Sequence, residues 1–204
     1  MKKLPDSFYR RPDTLVIAKE LLGKIIVTRF GGVETSGRIV ETEAYLGTGD
    51  KASHAYGGRN TTRTAVMYKA GGHAYVYLCY GIHHLFNVVT HVEGQPHAVL
   101  VRAVEPLQGI GTMLERMKKD KADVSIGRGP GNVSKALGFS RQHTGSSLRQ
   151  QELFIAADDF HLLPGNIMAT PRIGVDYAAE DALLPYRFYI KGNPYVSGKK
   201  SLKS

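Results

Sequence analysis

Two carboxylates and a tyrosine alternate along the segment RIVETEAY, residues 38–45. On a strand, alternate side chains share a face, so Glu41, Glu43 and Tyr45 would lie side by side. A carboxylate held among apolar and aromatic neighbours is a candidate general base that activates water. The competing interpretation is a solvent-facing strand edge with both glutamates in salt bridges, and the segment alone leaves the two open.

Two more polar residues interrupt apolar runs. Asn87 lies within LFNVV, and Arg102 lies within VLVRAV. A buried amide must find hydrogen-bond partners, so Asn87 either holds a neighbouring backbone or reads the edge of a base. A guanidinium on an apolar strand needs a carboxylate, and both Glu41 and Glu43 are candidates to pair with Arg102.

An aromatic residue followed by glycine, Tyr80-Gly81, joins two strand-like runs. At the tip of a hairpin, this tyrosine would stand on a narrow protrusion, like the wedge of a DNA-bending or base-flipping protein. The ordinary alternative is a tyrosine that packs against its own turn.

The charge of the chain indicates its partner. Lys and Arg number 27 against 18 Asp and Glu, which is a formal net charge of +9. Between Lys51 and Val92 there is no acidic residue, whereas the stretch holds Arg59, Arg63, five histidines and five tyrosines. Because carboxylates repel phosphates and tyrosine rings stack on bases, this composition is typical of a surface that faces nucleic acid. An anionic membrane, an acidic partner or a tyrosine-rich sheet would also fit it.

Several classes of protein are disfavoured. No apolar run is long enough for a membrane span, and MKKLPDSFYRRPD lacks the apolar core of a signal peptide, so a cytoplasmic protein is expected. The single cysteine, Cys79, excludes an internal disulfide framework. HExxH, P-loop and GxGxxG motifs are absent, and GRGPG (127–131) is interpreted as a structural turn rather than a phosphate cradle. The histidines lack ligand spacing, so neither a metal nor a cofactor is expected.

Strand-like runs follow one another as neighbouring hairpins, which predicts a single α+β domain over residues 1–204 with a mostly antiparallel sheet. Asp13 is positioned to cap a first helix, and Thr112 with Glu115 has the spacing of a capping box for a second. The predicted helices lie between Asp13 and Gly23, over Thr112–Lys119 and over Asn132–Leu137; the predicted strands are Lys24–Phe30, Gly37–Tyr45, His73–Tyr80, Leu85–His91, His97–Val104, Leu153–Ala157 and Tyr186–Lys191.

Six long blocks cover essentially the whole chain: RIVETEAYLG (38–47), SHAYGGRNTTR (53–63), AYVYLCYGIHHLFNV (74–88), VLVRAVEPLQG (99–109), GPGNVSKALG (129–138) and RIGVDYAAEDALLPYRFYIKGNPYVS (172–197). In this order they closely resemble the alkyladenine (3-methyladenine) DNA glycosylases of the bacterial type. The resemblance implies a compact, monomeric domain with a curved antiparallel sheet and a protruding hairpin. It also implies a base-excision enzyme that flips damaged purines out of double-stranded DNA and hydrolyses their N-glycosidic bond. The expected lesions are 3-methyladenine, 7-methylguanine, hypoxanthine and ethenoadenine.

The same resemblance implies a catalytic set. Glu43 is expected to activate the attacking water, which Arg102 and the main-chain carbonyl of Ile173 help to hold. No lysine occurs in the pocket motifs to form a Schiff base, so strand-cleaving lyase activity is not expected.

Contacts with DNA follow from the resemblance as well. Asn87 is expected to crowd the 2-amino group of a guanine, and Tyr80 is expected to fill the gap left by the flipped nucleotide. Arg59 and Arg63 are expected to bind the DNA backbone. The base pocket as a whole is expected to comprise Tyr45, His54, Tyr77 and Asn87.

Two other functions fit parts of the sequence. A sugar glycosidase would use Glu41 and Glu43 as an acid–base pair, but residues two apart on a strand are about 7 Å apart with parallel side chains, an awkward clamp. It would also need neither the +9 charge nor the acid-free aromatic stretch. A non-catalytic nucleic-acid-binding module would explain the charge and the tyrosines, but not Glu43 and Arg102 on apolar strands.

Overall fold

An antiparallel β-sheet is the frame of the molecule in the computed structural model, which describes residues 1–198. Within these residues every strand pairing is antiparallel, and the order across the sheet is β1-β7-β2-β3-β6-β5-β4, with β9 attached to β3 and β8 to β9. The strands are β1 (Lys2–Lys3), β2 (Ile25–Phe30), β3 (Val33–Tyr45), β4 (Ala74–Cys79), β5 (His83–Thr90), β6 (His97–Gln108), β7 (Leu153–Ala157), β8 (Ile167–Thr170) and β9 (Arg187–Ile190).

Strand β3 connects most of the sheet. Along one edge it pairs with β6. Along the other edge its first half pairs with β2, and its second half, from Glu41 to Glu43, pairs with β9. Register shifts between Ile39 and Glu41 and between Glu41 and Thr42 mark bulges near this change of partner. Because a bulge bends a strand and increases its twist, β3 curves where it carries the two glutamates.

Four short α-helices in the described part of the chain pack around the sheet: α1 (Asp6–Tyr9), α2 (Thr14–Leu21), α3 (Ile110–Met117) and α4 (Pro130–Leu137). Helix α2 packs against β3, and α4 packs against β5 and β6. Their buried side chains, among them Ile17 and Leu137, join Ile39 and Phe86 of the sheet in the main hydrophobic core. No helix within residues 1–198 is long and apolar enough to cross a membrane.

The predicted α+β class with a mostly antiparallel sheet is confirmed. Each predicted strand is present, with its ends displaced by a few residues at most. Asp13 caps α2 as expected, since its side chain accepts a hydrogen bond of 3.0 Å from the backbone N–H of Val16. Gly23 follows the helix with a φ of 83°, a left-handed conformation that glycine adopts without strain.

The start of α3 was predicted wrongly. The helix begins at Ile110, directly after Gly109, so Thr112 lies inside its first turn and the capping box at Thr112 and Glu115 is wrong. The reason is tertiary: Gly109 has a φ of 73°, and a Cβ there would lie 2.4 Å from the carbonyl oxygen of Glu34. Only glycine lets the chain turn so close to β3, and the helix starts from that turn.

The GRGPG segment contains a close backbone approach. Gly127 accepts a hydrogen bond of 2.9 Å from the N–H of Val104 in β6. A Cβ on Gly127 would lie 1.8 Å from the carbonyl oxygen of Val104, so any side chain must push the two segments apart. This contact supports the interpretation of the segment as a structural turn. Helix α4 follows it and begins at Pro130, two residues before the predicted start, because proline is preorganised for the first helical position.

We expect Gly127→Ala to lower the free energy of unfolding by about 2 kcal/mol or more, because extra volume in a packed site costs energy on this scale. Gly111→Ala is the matched control, since Gly111 lies inside α3 with open space around its Cβ position. That substitution should raise stability by ~0.5–1 kcal/mol. Urea unfolding followed by circular dichroism measures both variants, and wild-type stability of Gly127→Ala would contradict the expectation.

Candidate active site

A cavity of about 760 Å³ opens between the β4–β5 hairpin, the loop after β3 and the segment that follows β8. Neither Glu43 nor Arg63 is among the lining residues, but Glu43 is hydrogen-bonded to three residues that are. Most of the predicted site residues line the cavity, namely Tyr45, His54, Arg59, Tyr77, Tyr80, Asn87, Arg102 and Ile173. The fold therefore brings together side chains from β3, β4, β5, β6 and two loops.

Glu43 is completely buried, and three donors hold its carboxylate. Oε2 accepts from the hydroxyl of Tyr45 at 2.9 Å and from Nη1 of Arg102 at 3.2 Å, while Oε1 accepts from the backbone N–H of Ile173 at 2.8 Å. A buried carboxylate is tolerated only when it is paired and hydrogen-bonded. The alternative of a solvent-facing strand edge is therefore wrong.

Arg102 bridges the two glutamates of β3. Its Nε donates to Oε1 of Glu41 at 3.1 Å, while its Nη1 donates to Glu43, so it pairs with both candidate partners rather than one. Glu41 is as completely buried as Glu43. Burial by itself lowers the pKa of Arg102, but the charges of Glu43 and Glu41 outweigh it and leave that pKa raised. The guanidinium therefore stays charged at the cavity wall.

The backbone at Ile173 is held by a buried ion pair. Arg172 bonds both carboxylate oxygens of Asp50, at 2.5 and 2.9 Å, and donates to the carbonyl of Ala44 at 2.9 Å. This clamp fixes the loop so that the N–H of Ile173 reaches Glu43. The prediction assigned the carbonyl of Ile173 to the water, whereas the group in contact with the carboxylate is its amide.

Neutral aromatic rings form the walls of the cavity. The rings of His54 and Tyr77 meet edge to face with centroids 4.6 Å apart, and Nδ1 of His54 lies 2.8 Å from the hydroxyl of Tyr75. Burial, with smaller effects from Arg63 and Arg59, lowers the pKa of His54 to about 4. Burial also raises the pKa of Tyr77, and burial together with Glu43 raises the pKa of Tyr45. At neutral pH, all three rings are therefore uncharged.

Asn87 is buried in β5 at the edge of the cavity. Its Nδ2 donates to the carbonyls of Tyr75 at 3.1 Å and of Leu85 at 3.2 Å. The amide therefore holds the neighbouring backbone, as one of the two sequence interpretations expected. Reading of a base edge by the same amide stays a prediction.

Tyr80 stands at the tip of the β4–β5 hairpin, with 89% of its surface exposed. Tyr80 and Gly81 take positive φ values of 49° and 73°, which turn the chain back on itself tightly. Ile82, the next residue, is 71% exposed. The alternative that Tyr80 packs against its own turn is therefore wrong, because the ring projects into solvent.

Two arginines and a lysine lie near the cavity mouth. Arg59 lines the mouth and Arg63 lies nearby, and both are exposed, with no salt bridge to any described residue. Lys51 also lines the cavity, but its Nζ bonds Glu180 at 2.5 Å. A lysine therefore does border the pocket, contrary to the motif-based expectation, and it is held by a carboxylate.

Side chains suited to a metal do not cluster in the described part of the chain. No three His, Cys, Asp or Glu residues within it are grouped as ligands. The guanidinium of Arg102 bonds both Glu41 and Glu43, so their charges are already paired.

Comparison with known proteins matches this arrangement to one family. Residues 7–194 match the family model described as methylpurine-DNA glycosylase (MPG). A protein of Bacillus thuringiensis (strain Al Hakam) is 46% identical over 204 residues, which cover 96% of this chain and 98% of its own. A protein of Bacillus mycoides (strain KBAB4) is 47% identical over 202 residues, 95% and 98% of the two chains. The names of both contain the words 3-methyladenine DNA glycosylase.

The chain belongs to the methylpurine-DNA glycosylase family. Members of this family are DNA N-glycosylases, hydrolases of the bond between base and sugar, so the predicted family and enzyme class are confirmed. Membership also makes DNA the substrate and DNA repair the process.

Several residues that hold the glycosylase site were missed at the sequence level. Arg187 in YRFYI is a charge beside an apolar strand, the same signal that identified Arg102, and it would have been found by that rule. Ser197, Tyr75 and the Arg172–Asp50 pair carry no such signal. Only the fold brings them to the carboxylates and the histidine.

The pKa of His54 makes stability depend on pH. Because the folded state lowers this pKa from 6.5 to about 4, the unfolded chain binds more protons between these two values. Stability should therefore fall as the pH drops through this window. We expect the melting temperature of His54→Asn to fall less between pH 7 and pH 5 than that of the wild type. The exposed His161 provides the control, and His161→Asn should melt like the wild type at both pH values.

Proposed function

We propose that the protein removes damaged purines from double-stranded DNA by flipping the nucleotide into the cavity and hydrolysing the N-glycosidic bond with a water activated by Glu43. The proposed substrates are 3-methyladenine, 7-methylguanine, hypoxanthine and ethenoadenine. The observation that carries the proposal is a buried, hydrogen-bonded carboxylate beneath an aromatic cavity, next to an exposed tyrosine on a hairpin tip. Such an enzyme must flip the damaged nucleotide out of the duplex, recognise its base and hydrolyse the glycosidic bond. Each of these three steps has residues suited to it.

Aromatic walls suit an alkylated purine. Methylation at N3 or N7 gives the base a positive charge, and a cation between tyrosine rings gains roughly 1–2 kcal/mol that a neutral base lacks. Tyr45 and Tyr77 both face the cavity, and their raised pKa values keep the rings neutral. Discrimination between damaged and normal bases would therefore arise from charge. We propose that Asn87, fixed to the backbone, excludes normal guanine by crowding its 2-amino group.

His54 suits neutral lesions such as hypoxanthine. With a pKa of about 4, it is uncharged at neutral pH and offers a hydrogen bond rather than a proton. One ring nitrogen, Nδ1, contacts the hydroxyl of Tyr75, so we assign the other, Nε2, to the base.

Glu43 suits the chemical step. As the glycosidic bond breaks, the sugar becomes oxocarbenium-like, and an ionised carboxylate nearby stabilises that charge. In our proposal, Glu43 accepts a proton from the attacking water, the oxygen bonds to the anomeric carbon, and the bonding electrons leave with the base. Oε1 accepts one hydrogen bond among the described residues, from Ile173, and so retains a lone pair for this water. Arg102, on Oε2, would hold the carboxylate in place.

The product would be an abasic site in an intact strand. Schiff-base chemistry needs a free amine, and the lysine at the cavity, Lys51, bonds Glu180. We therefore propose that the enzyme is monofunctional. Hydrolysis of this kind uses only water and side chains, so we propose neither cofactor nor metal. We further propose that it acts as a monomer in the bacterial cytoplasm, associated with the nucleoid through DNA.

Two rival functions fit the site less well. A sugar glycosidase would need Glu41 as a second acid, but Glu41 is bonded to two guanidiniums, and of its bonding partners only Arg102 lines the cavity. A module that only binds nucleic acid has no need for the buried Glu43–Arg102 pair. Duplex oligonucleotides with one lesion each, incubated with the protein and then cleaved with alkali, separate the three functions, because only a glycosylase leaves alkali-labile sites.

We expect Glu43→Gln to lower the single-turnover excision rate by at least about 100-fold, because the amide cannot accept a proton from water. Binding to lesion-containing duplex should stay at the wild-type level or strengthen, since the substitution removes a negative charge from a DNA-facing site. Excision assays and fluorescence anisotropy measure the two effects. Excision at the wild-type rate would show that another group is the base.

We expect Tyr80→Ala to slow excision and weaken binding of lesion duplex, more for a paired lesion than for a mismatched one. Flipping costs a few kcal/mol of stacking and pairing, and an inserted aromatic ring offsets roughly 1–3 kcal/mol of it. The melting temperature should not change, because the ring is exposed. Leu183→Ala is the matched control: it removes an exposed apolar side chain outside the cavity wall and should leave excision unchanged. Equal rates for Tyr80→Ala and wild type would refute the wedge.

A further inference from the structure

Four hydrogen bonds hold the carboxylate of Glu41. Oε1 accepts from Nε of Arg102 at 3.1 Å, from Nε of Arg187 at 2.6 Å and from the hydroxyl of Ser197 at 2.9 Å. Oε2 accepts from the backbone N–H of Ser197 at 2.6 Å. Of the residues that supply these four hydrogen bonds, only Arg102 lines the cavity, whereas all three donors of Glu43 do. Glu41 is therefore held mainly by residues outside the cavity lining, which suits a supporting part rather than a reaction with water.

The donors of Glu41 also bond one another. The hydroxyl of Ser197 accepts from Nη2 of Arg102 at 3.3 Å, and the carbonyl of Ser197 accepts from Nη2 of Arg187 at 2.5 Å. Nη1 of Arg187 reaches Thr170 in β8 at 3.2 Å. The cluster therefore ties β3, β6, β8, β9 and the chain beyond β9 together around one carboxylate.

The guanidinium of Arg102 is oriented from both ends by this cluster. Its Nε points to Glu41, its Nη1 to Glu43 and its Nη2 to Ser197. Three contacts on three different nitrogens restrain rotation of the planar guanidinium, so the donor that reaches Glu43 is held in position. Without Glu41, the plane would be held by Glu43 and the Ser197 hydroxyl, and the charge of Arg187 would have no carboxylate nearby among the described salt bridges.

We propose that Glu41 is a positioning residue, which together with Ser197 and Arg187 fixes Arg102 so that Arg102 holds the carboxylate of Glu43 in its reactive orientation. This inference rests on the proposed function, in which Glu43 activates water. It assigns a part in catalysis to Glu41, which in this proposal does not touch the substrate. It assigns another to Ser197, which lies 156 positions from Glu41 along the chain.

The test compares Glu41→Gln and Ser197→Ala with wild type. Misplacing a reacting group by about 1 Å costs on the order of 100-fold in rate, so Glu41→Gln should lower the single-turnover excision rate by roughly 10–100-fold. Ser197→Ala keeps the backbone N–H bond to Glu41 and removes one contact with Arg102, so its rate should fall by about 3–10-fold. The dissociation constant for lesion duplex should stay within about twofold of wild type in both variants, because no contact with DNA changes.

A remote ion pair on the same strand supplies the control. Arg38, also in β3, bonds both oxygens of Asp158, at 3.0 and 2.7 Å. Asp158→Asn removes a charge from this pair and should leave the rate of excision unchanged even where it lowers the melting temperature. A loss of rate in Asp158→Asn equal to that in Glu41→Gln would overturn the proposal, because any weakened β3 would then do the same.

The excision rate and the dissociation constant together show whether Glu41 and Ser197 position Arg102 or only support the fold. A folded Glu41→Gln that excises at the wild-type rate overturns the proposal, as does a parallel loss of rate and affinity in Ser197→Ala. If Glu41→Gln does not fold, Ser197→Ala decides: a slower rate with unchanged affinity supports positioning, and a wild-type rate overturns it.

A readout independent of excision separates this proposal from the proposed function. Hydrogen exchange at Nε of Arg102, followed by NMR, should be slow in wild type and at least about tenfold faster in Glu41→Gln, since the bond to Glu41 protects that proton. Unchanged exchange overturns the positioning role. A different outcome is faster exchange in Glu41→Gln than in wild type, together with a wild-type protein that excises none of the four lesions. In that case the proposed function fails, and the orientation of Arg102 by Glu41 stands.

Discussion

The burial of two carboxylates on one strand is the constraint on which the structure depends. Removing an ion from water costs several kcal/mol, so Glu41 and Glu43 require guanidiniums and hydrogen-bond donors at fixed positions. Those donors come from β6, β9, the loop after β8 and the chain near Ser197. The bulges of β3 and its change of partner from β2 to β9 occur at the same place. The strands around β3 are therefore arranged so that they supply donors to two buried carboxylates.

Such a cluster gives little net stability but fixes geometry. Replacing buried ion pairs by apolar residues is often neutral or stabilising, so their presence indicates a requirement for orientation. The two glutamates differ in their partners. Glu41 is bonded to Arg187 and Ser197, which lie outside the cavity lining, while each donor of Glu43 belongs to a residue that lines the cavity. This asymmetry distinguishes two residues of identical type, two positions apart, that the sequence pattern treats alike.

Around the cavity, the aromatic rings of the wall are neutral and two exposed arginines carry positive charge. The walls carry rings held neutral by burial, whereas Arg59 and Arg63 lie exposed at or near the mouth. Exposed arginines attract polyanions, and in the proposed function a neutral aromatic wall leaves the charge of the base itself as the feature to be recognised. Membership in the methylpurine-DNA glycosylase family agrees with both properties.

The sequence by itself determined the class of fold, the longer strands and which residues are candidates for chemistry. Apolar runs bounded by turn residues identified each longer strand, and Asn87 and Arg102 were conspicuous because polar groups are rare in apolar strands. The short strands β1 and β8 carry too few residues to show alternation, and the start of α3 depends on the approach of Gly109 to β3. Which glutamate bonds the residues that line the cavity, and which distant residues hold each carboxylate, was decided only by the tertiary structure. These contacts join segments far apart in the chain, and no local pattern encodes them.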